Sequence, residues 1–301
     1  MDIPKGKLIA IGGAEDKGTE KEYGFIQKNN LHFFALGILK RIIDESKGTD
    51  SHIEVITTAS SIPDEVGENY INAFGKLGCL KIGVIHIKSR EDALIPEYSE
   101  RISKADGVMF TGGNQLRLSM IFGGTNFLKI IHKRYQEEEH FVVAGTSAGA
   151  MAMSNTMIYH GNATTAHLKG EVKITTGLGF IKDVIIDSHF EKRGRFGRLA
   201  QAVASNPSCI GIGLGEDTGV IVTGGDHMET IGSGPVVIVD GHNIRHSNIA
   251  DVPEGSPIAI ENLAVHVLIN GNTFLLSGKI FTPRQETKEA SIDINPETTA
   301  S

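Results

Sequence analysis

Apolar and polar positions fall into two kinds of block along this chain. Residues 7–13, Lys-Leu-Ile-Ala-Ile-Gly-Gly, read as a buried strand closing on paired glycines, with a polar loop at 14–17 behind it. Leu31, Phe34, Ala35, Ile38, Leu39 and Ile42 recur at helical spacing and predict a helix over 31–46 that covers one face of a sheet. A second strand follows at 53–58. After Pro63, residues 64–77 repeat apolar positions at three-to-four spacing and predict a second helix. A third strand spans 81–87, a connecting segment of weak helical character spans 91–104, and a fourth strand at 107–112 runs into Gly112-Gly-Asn-Gln115. A third helix over 128–139 leads back to a strand at 141–144. Strand and helix alternate throughout this half, which makes a parallel sheet with helices on both faces and places functional groups at the carboxyl ends of its strands.

The pattern changes after residue 155. A short strand at 184–186 ends in Asp187-Ser-His189-Phe190, and 195–203 has helical spacing. From residue 210 the chain is mostly strand and turn, at 210–214, 218–222, 235–239, 258–268 and 273–276. Turn pairs stand at Gly224-Gly225, Asp240-Gly241 and Asn270-Gly271. These strands are expected to extend the sheet in antiparallel fashion. The expectation is therefore one α/β unit over 1–283 and a polar tail over 284–301 with little apolar content.

Composition narrows the classes of function. The 301 residues carry a formal net charge of -7, which argues against a phosphate-backbone reader and hence against nucleic acid as partner. Cys79 and Cys209 lack metal-ligand spacing, so buried free thiols in a reducing cytoplasm are expected. The amino-terminal stretch has neither a basic region nor an apolar core of signal type, and no apolar run approaches a membrane span, so the expectation is a soluble cytoplasmic protein. No pair of histidines, cysteines or carboxylates has ligand spacing, so no metal or organic cofactor is implied. The glycines after the first strand do not fit the dinucleotide fingerprint.

The chemistry centres on Phe141-Val-Val-Ala-Gly145-Thr-Ser147-Ala-Gly149-Ala150. Buried-strand residues run straight into Gly-x-Ser-x-Gly, and a serine at a sharp strand-to-helix turn is forced outward with its hydroxyl uncovered. The helix expected over 148–154 would point free N–H groups at whatever Ser147 attacks. By itself the five-residue string also serves as an ordinary turn. A serine hydroxyl needs a base, and the base needs an acid to fix its tautomer. Among twelve histidines, His189 stands out because it follows an apolar run that would end beside the serine turn. Glu216 follows Ile210-Gly-Ile-Gly-Leu-Gly215, where a carboxylate can face inward; a surface turn is an equal reading of the same residues. Glu191-Lys-Arg193-Gly-Arg195-Phe-Gly-Arg198 concentrates four cations in an acidic protein. Such a run is commonly a solvated face, but its glycines and its place after His189 favour a carboxylate site.

Taken as a set, Gly12-Gly-Ala-Glu-Asp-Lys17, Phe110-Thr-Gly-Gly-Asn-Gln115, Gly145-Thr-Ser-Ala-Gly-Ala150, Asp187-Ser-His-Phe190 with its arginines, and Gly215-Glu-Asp-Thr218 resemble the cyanophycinase family. These are serine peptidases related in fold to class I glutamine amidotransferases and to aspartyl dipeptidases, and the resemblance covers residues 7–279. It implies a doubly wound, mostly parallel, flavodoxin-like α/β sheet with antiparallel C-terminal strands. It further implies Ser147 as nucleophile, His189 as base and Glu216 as orienting acid, with backbone N–H groups of Gly113 and Ala148 as the oxyanion hole. Gln115, Asp187, Arg193, Arg195 and Arg198 would form the pocket. Ser188 departs from the glutamine common at that position, removing an amide donor and acceptor. The implied substrate is cyanophycin, an arginine-decorated polyaspartate, cut to β-aspartyl-arginine units, and the implied assembly is a homodimer. The same triad would support an α-aspartyl or other acidic-peptide dipeptidase, and a non-catalytic carboxylate-binding relative is the alternative outside enzymes. The order Ser, His, Glu disfavours an α/β-hydrolase esterase, whose acid precedes its histidine.

Overall fold

The computed structural model describes residues 3–18 and 37–284. The strands, in chain order, are β1 (Lys7–Ile11), β2 (His52–Ile56), β3 (Lys81–Ile85), β4 (Gly107–Phe110), β5 (Val142–Thr146), β6 (Thr156–His160), β7 (Lys173–Thr176), β8 (Val184–Asp187), β9 (Ile210–Leu214), β10 (Thr218–Thr223), β11 (His227–Gly232), β12 (Val236–Asp240), β13 (His246–Ser247), β14 (Ile260–Glu261), β15 (Ala264–Leu268), β16 (Thr273–Leu275) and β17 (Ile280–Thr282). The helices are α1 (Ile38–Glu45), α2 (Pro63–Lys76), α3 (Pro96–Lys104), α4 (Gln115–Phe122), α5 (Asn126–Glu137), α6 (Ala148–Ala152) and α7 (Phe196–Ser205).

The main sheet has the order β17-β16-β11-β10-β1-β5-β4-β2-β3. Its β1, β5, β4, β2 and β3 are parallel, and β10 joins antiparallel to β1. The buried side chains of the parallel part enter two apolar layers. Leu8, Ala10, Val108 and Val143 face one apolar cluster, whereas Ile9, Ile11, Val142 and Ala144 face another that includes Ile38, Leu39, Ile42 and Ile43 of α1 and Tyr70 and Phe74 of α2. Two-residue periodicity thus yields apolar residues on both faces, as a sheet covered on both sides requires. Each fully buried Leu or Ile contributes about 1.5–3 kcal/mol.

The C-terminal strands do not all extend this sheet. Strands β10, β11, β16 and β17 do, antiparallel, but β9, β12 and β15 pair with β8 in a second sheet of order β15-β12-β9-β8, in which β8 and β9 run parallel. The cause is α7, which packs Leu199 and Val203 against Gly211 of β9 and occupies one face of the smaller sheet. Ile186, Ile212, Leu214 and Ile238 of that sheet fill the same apolar cluster as Leu8 and Val143 of the main one, so the two sheets share a core. The segment read as one strand at 258–268 is broken at Asn262, whose φ of 70° ends the extended run; β14 pairs with β13 and β15 with β12. Helix α4 and strands β6, β7, β11, β13 and β17 had no counterpart in the sequence reading. The first part of the helix expected over 31–46, at 31–36, and the tail from 285 onward lie outside the described residues.

Candidate active site

The turn from β5 into α6 brings Ser147 to the carboxyl edge of the main sheet. Ser147 takes φ 50°, ψ -111°, a region that side chains rarely adopt, and it is the one half-exposed residue in an otherwise buried stretch from 141 to 150. Such a conformation costs on the order of 1–3 kcal/mol and persists only where the surroundings over-determine it. Here two contacts do so: the Ser147 N–H donates to the Ile11 carbonyl at 2.9 Å, and Gly149 passes so close to β4 that a Cβ there would stand 2.2 Å from the Phe110 carbonyl oxygen. Helix α6 is therefore pressed against the sheet, and the serine hydroxyl has only the solvent side left.

His189 arrives from the other sheet. It follows β8, adopts φ 47°, and donates its backbone N–H to Gly12 O at the end of β1 at 2.9 Å. Its Nε2 lies 3.1 Å from Ser147 Oγ and its Nδ1 lies 2.8 Å from Glu216 Oε1. Glu216 sits between β9 and β10, and Asp217 beside it donates its N–H to Gly13 O at 2.9 Å. The end of β1 thus fixes both the histidine and the acid. The second oxygen of Glu216 accepts from Lys192 Nζ at 2.9 Å, and Glu191 Oε1 accepts from the Glu216 N–H at 3.2 Å. Burial alone would push the Glu216 carboxyl up, but Lys192 and His189 outweigh it and hold it below the usual carboxylate range. An ionised acid on Nδ1–H leaves Nε2 free to accept the serine proton, the division of labour a nucleophilic serine needs. A lysine in that role was not visible in the sequence, where Lys192 is one more cation in a basic run.

A cavity of about 300 Å³ opens on one side of Ser147, with Gly113, Ala148, Gln115, Ser188 and all three arginines, Arg193, Arg195 and Arg198, on its wall. Gln115 donates its amide N–H to Ile158 O at 3.0 Å. Tyr159, His160 and Asn162 also line the cavity and had no signal in the sequence beyond their polarity. Asp187 is placed differently from the direct pocket contact implied by resemblance. It is wholly buried behind two of the arginines: Arg198 Nε donates to Oδ2 at 2.6 Å, Arg198 Nη2 donates to Oδ1, and Arg195 Nη1 donates to Oδ1 at 3.1 Å. Arg195 also donates to Ser188 O at 2.7 Å. Burial, with Arg198 and Arg193 nearby, lowers Arg195 to about 10, still far above neutrality, so it stays cationic. One carboxylate against three guanidinium groups leaves this wall positive. Among the described residues, no cluster of three or more His, Cys, Asp or Glu is placed to hold a metal, and no helix is long and apolar enough to cross a membrane.

Comparison with known proteins places the chain in a family. Residues 30–230 match the model of peptidase family S51. The chain belongs to that family. It is a peptidase of the serine type, with a fold of the flavodoxin-like α/β class. Curated relatives include the cyanophycinase of Geminocystis herdmanii, 33% identical over 270 residues, which span 90% of this chain and 93% of the relative. The cyanophycinase of a Nostoc species is 33% identical over 279 residues, 93% of this chain and 88% of the relative. Among solved structures, a peptidase from an acI-B1 actinobacterium superposes with a TM-score of 0.61 at 21% identity, covering 91% of this chain and 98% of that one. The resemblance to cyanophycinases read from the motifs is therefore borne out, and the S51 peptidase has its serine turn where the sheet edge opens.

Proposed function

We propose that this peptidase hydrolyses cyanophycin at the main-chain amide of its polyaspartate and releases β-aspartyl-arginine dipeptides. The observation that carries the reading is the positive wall of Arg193, Arg195 and Arg198 in the same cavity as Ser147, since guanidinium groups pair with carboxylates in two-pronged fashion. Relatives at 33% identity bear the name cyanophycinase, which supports the same substrate.

In this reaction Ser147 Oγ attacks the carbonyl carbon while His189 Nε2 takes the hydroxyl proton, and Glu216 holds the resulting imidazolium through Nδ1–H. The negative charge that develops on the carbonyl oxygen falls to the backbone N–H groups of Gly113 and Ala148, both on the cavity wall beside Ser147. The tetrahedral adduct collapses as His189 returns the proton to the leaving nitrogen, leaving an ester on Ser147. A water activated by the same histidine then hydrolyses that ester. The homodimer and the cytoplasmic location belong to this same reading.

The test is incubation with cyanophycin and identification of the released fragment by mass, with Ser147→Ala as control. Release of β-aspartyl-arginine by the wild type and not by the variant supports the proposal. Turnover of short α-aspartyl peptides with cyanophycin left intact would reassign the substrate to acidic peptides.

A further inference from the structure

Ser147 opens onto a second cavity, on the side away from the arginines. It measures about 400 Å³ and is lined by Gly13, Lys17, Ser60, Asn69, Tyr70 and His189, among others. His189 lines this cavity and not the arginine cavity. The histidine that hands a proton to the leaving nitrogen must face the leaving fragment. On the reaction proposed above, the two cavities would then divide the substrate at the scissile bond, with the acyl part on the arginine side and the departing amine on the side that Lys17 lines.

The loop Gly12-Gly-Ala-Glu-Asp-Lys17 meets the triad through its first two residues, yet the rest of it carries a built arrangement. Glu15 is buried, its side chain 1% exposed, and accepts from Tyr70 Oη, from Thr146 Oγ1 at 2.7 Å and from Lys17 Nζ at 2.9 Å. Lys17 is also seated over the Tyr70 ring, 4.9 Å from its centroid, and remains 26% exposed. Among the described residues lining this cavity, Lys17 is the fixed cation, and the carboxylate that holds it is turned inward. Its head is thus anchored from behind by Glu15 and from one side by Tyr70, so that little side-chain entropy is left to lose when it meets an anion.

We infer that Lys17 reads a carboxylate on the leaving fragment, with Glu15 as the positioning residue that fixes it, so that this enzyme recognises its substrate on both sides of the bond. The inference rests on the substrate class proposed above. A cyanophycin unit offers two sources of that chemistry, a main-chain carboxylate and the carboxylate of its arginine.

The experiment compares oligomers whose leaving unit has both carboxylates free, the main-chain one amidated, or the arginyl one amidated. Each is assayed with the wild type, Lys17→Gln, which keeps an amide donor for Glu15, and Lys17→Arg. Labelling of Ser147 by a fluorophosphonate, which needs the triad but no leaving peptide, is the baseline for each variant. The wild type should favour the free form over one of the amides by about tenfold or more in kcat/KM, as loss of a hydrogen bond to a charged group requires, and the arm that loses identifies the source. Lys17→Gln should bring that preference, normalised to labelling, to within about twofold, and Lys17→Arg should keep most of it. An undiminished preference in Lys17→Gln, or none in the wild type, overturns the inference. Cleavage of α-aspartyl peptides in place of the oligomers would sink the substrate reading instead, and the same comparison made on those peptides would still decide the role of Lys17.

Discussion

Gly13 lies against the imidazole of His189: a Cβ at position 13 would stand 2.4 Å from Cε1 and 2.5 Å from Nε2 of the ring. Gly13 also takes φ 109°, a backbone that other residues adopt only under strain. Gly13, just past the end of β1, thus acts as the floor on which the imidazole rests, and the ring can lie this close to the backbone only because position 13 has no side chain.

Gly13→Ala should therefore damage chemistry more than folding. Displacing the ring by about 1 Å is expected to lower kcat by about a hundredfold, with the protein still folded. Steady-state kinetics beside a thermal melt checks this. A variant of near wild-type kcat would mean that the ring has another seat.

Ser147→Ala removes the proposed nucleophile and should lower turnover by on the order of a millionfold while substrate binding persists, since the hydroxyl adds little to the cavity's shape. Glu216→Gln should lower it by about ten-thousandfold, through the wrong histidine tautomer. Lys192→Ala, which strips only the outer partner of Glu216, should have a far smaller effect because Lys192 is mostly exposed. Equal losses for the glutamate and lysine variants would mean that the ion pair, not the tautomer, is what matters.

Much of this site was legible because two of its three central residues stand at strand ends just behind a glycine, where the chain must turn: Gly145 two positions before Ser147, and Gly215 directly before Glu216. His189 was picked out by the apolar run before it, and the structure does bring it to Ser147, although from a second sheet that no local pattern announces. Pairing partners of a strand are set by distant residues, so β9 and β10, adjacent in sequence, could part into different sheets unseen. The same limit hid the Glu15 network, whose partners Tyr70 and Thr146 lie 55 and 131 positions away. It also hid the fact that Asp187 faces the arginines and not the cavity.

The arginines should consequently separate by their tie to Asp187. Arg198→Ala leaves a fully buried carboxylate short of its main partner, which typically destabilises by about 3–5 kcal/mol, and Arg195→Ala should lose less because Arg195 makes one bond where Arg198 makes two. Arg193 is exposed, so Arg193→Ala should change stability by no more than about 0.5 kcal/mol while raising KM for the proposed substrate. Denaturant melts and kinetics on the three variants check the order. A double-mutant cycle should find Arg195 and Arg198 coupled through Asp187 and Arg193 independent of both. Additive effects for the first pair would contradict the shared carboxylate.

Glu15 carries a pH signature of its own. Burial pushes its carboxyl up, but the charge of Lys17 and the bonds from Thr146 and Tyr70 outweigh burial and hold it below its ordinary value of 4.5. A carboxyl depressed in the folded state binds protons more readily once the chain unfolds. Its ionised form therefore adds stability that is complete above the unfolded value and is lost as pH falls through the folded one. Glu15→Gln has no such charge to protonate and loses charge-assisted bonds of about 1.5–3 kcal/mol near neutral pH. The Tm gap between wild type and Glu15→Gln should then be widest near neutrality and shrink as pH drops below 4.5. Carboxylates out of reach of Glu15 titrate alike in both proteins and cancel from the difference, whereas Asp217, raised chiefly by burial and in part by the charge of Glu15, cancels incompletely. Thermal melts of the pair across that range supply the check, and a gap that stays constant or widens on acidification would mean that Glu15 is held neutral in the fold and that Lys17 is not anchored by its charge.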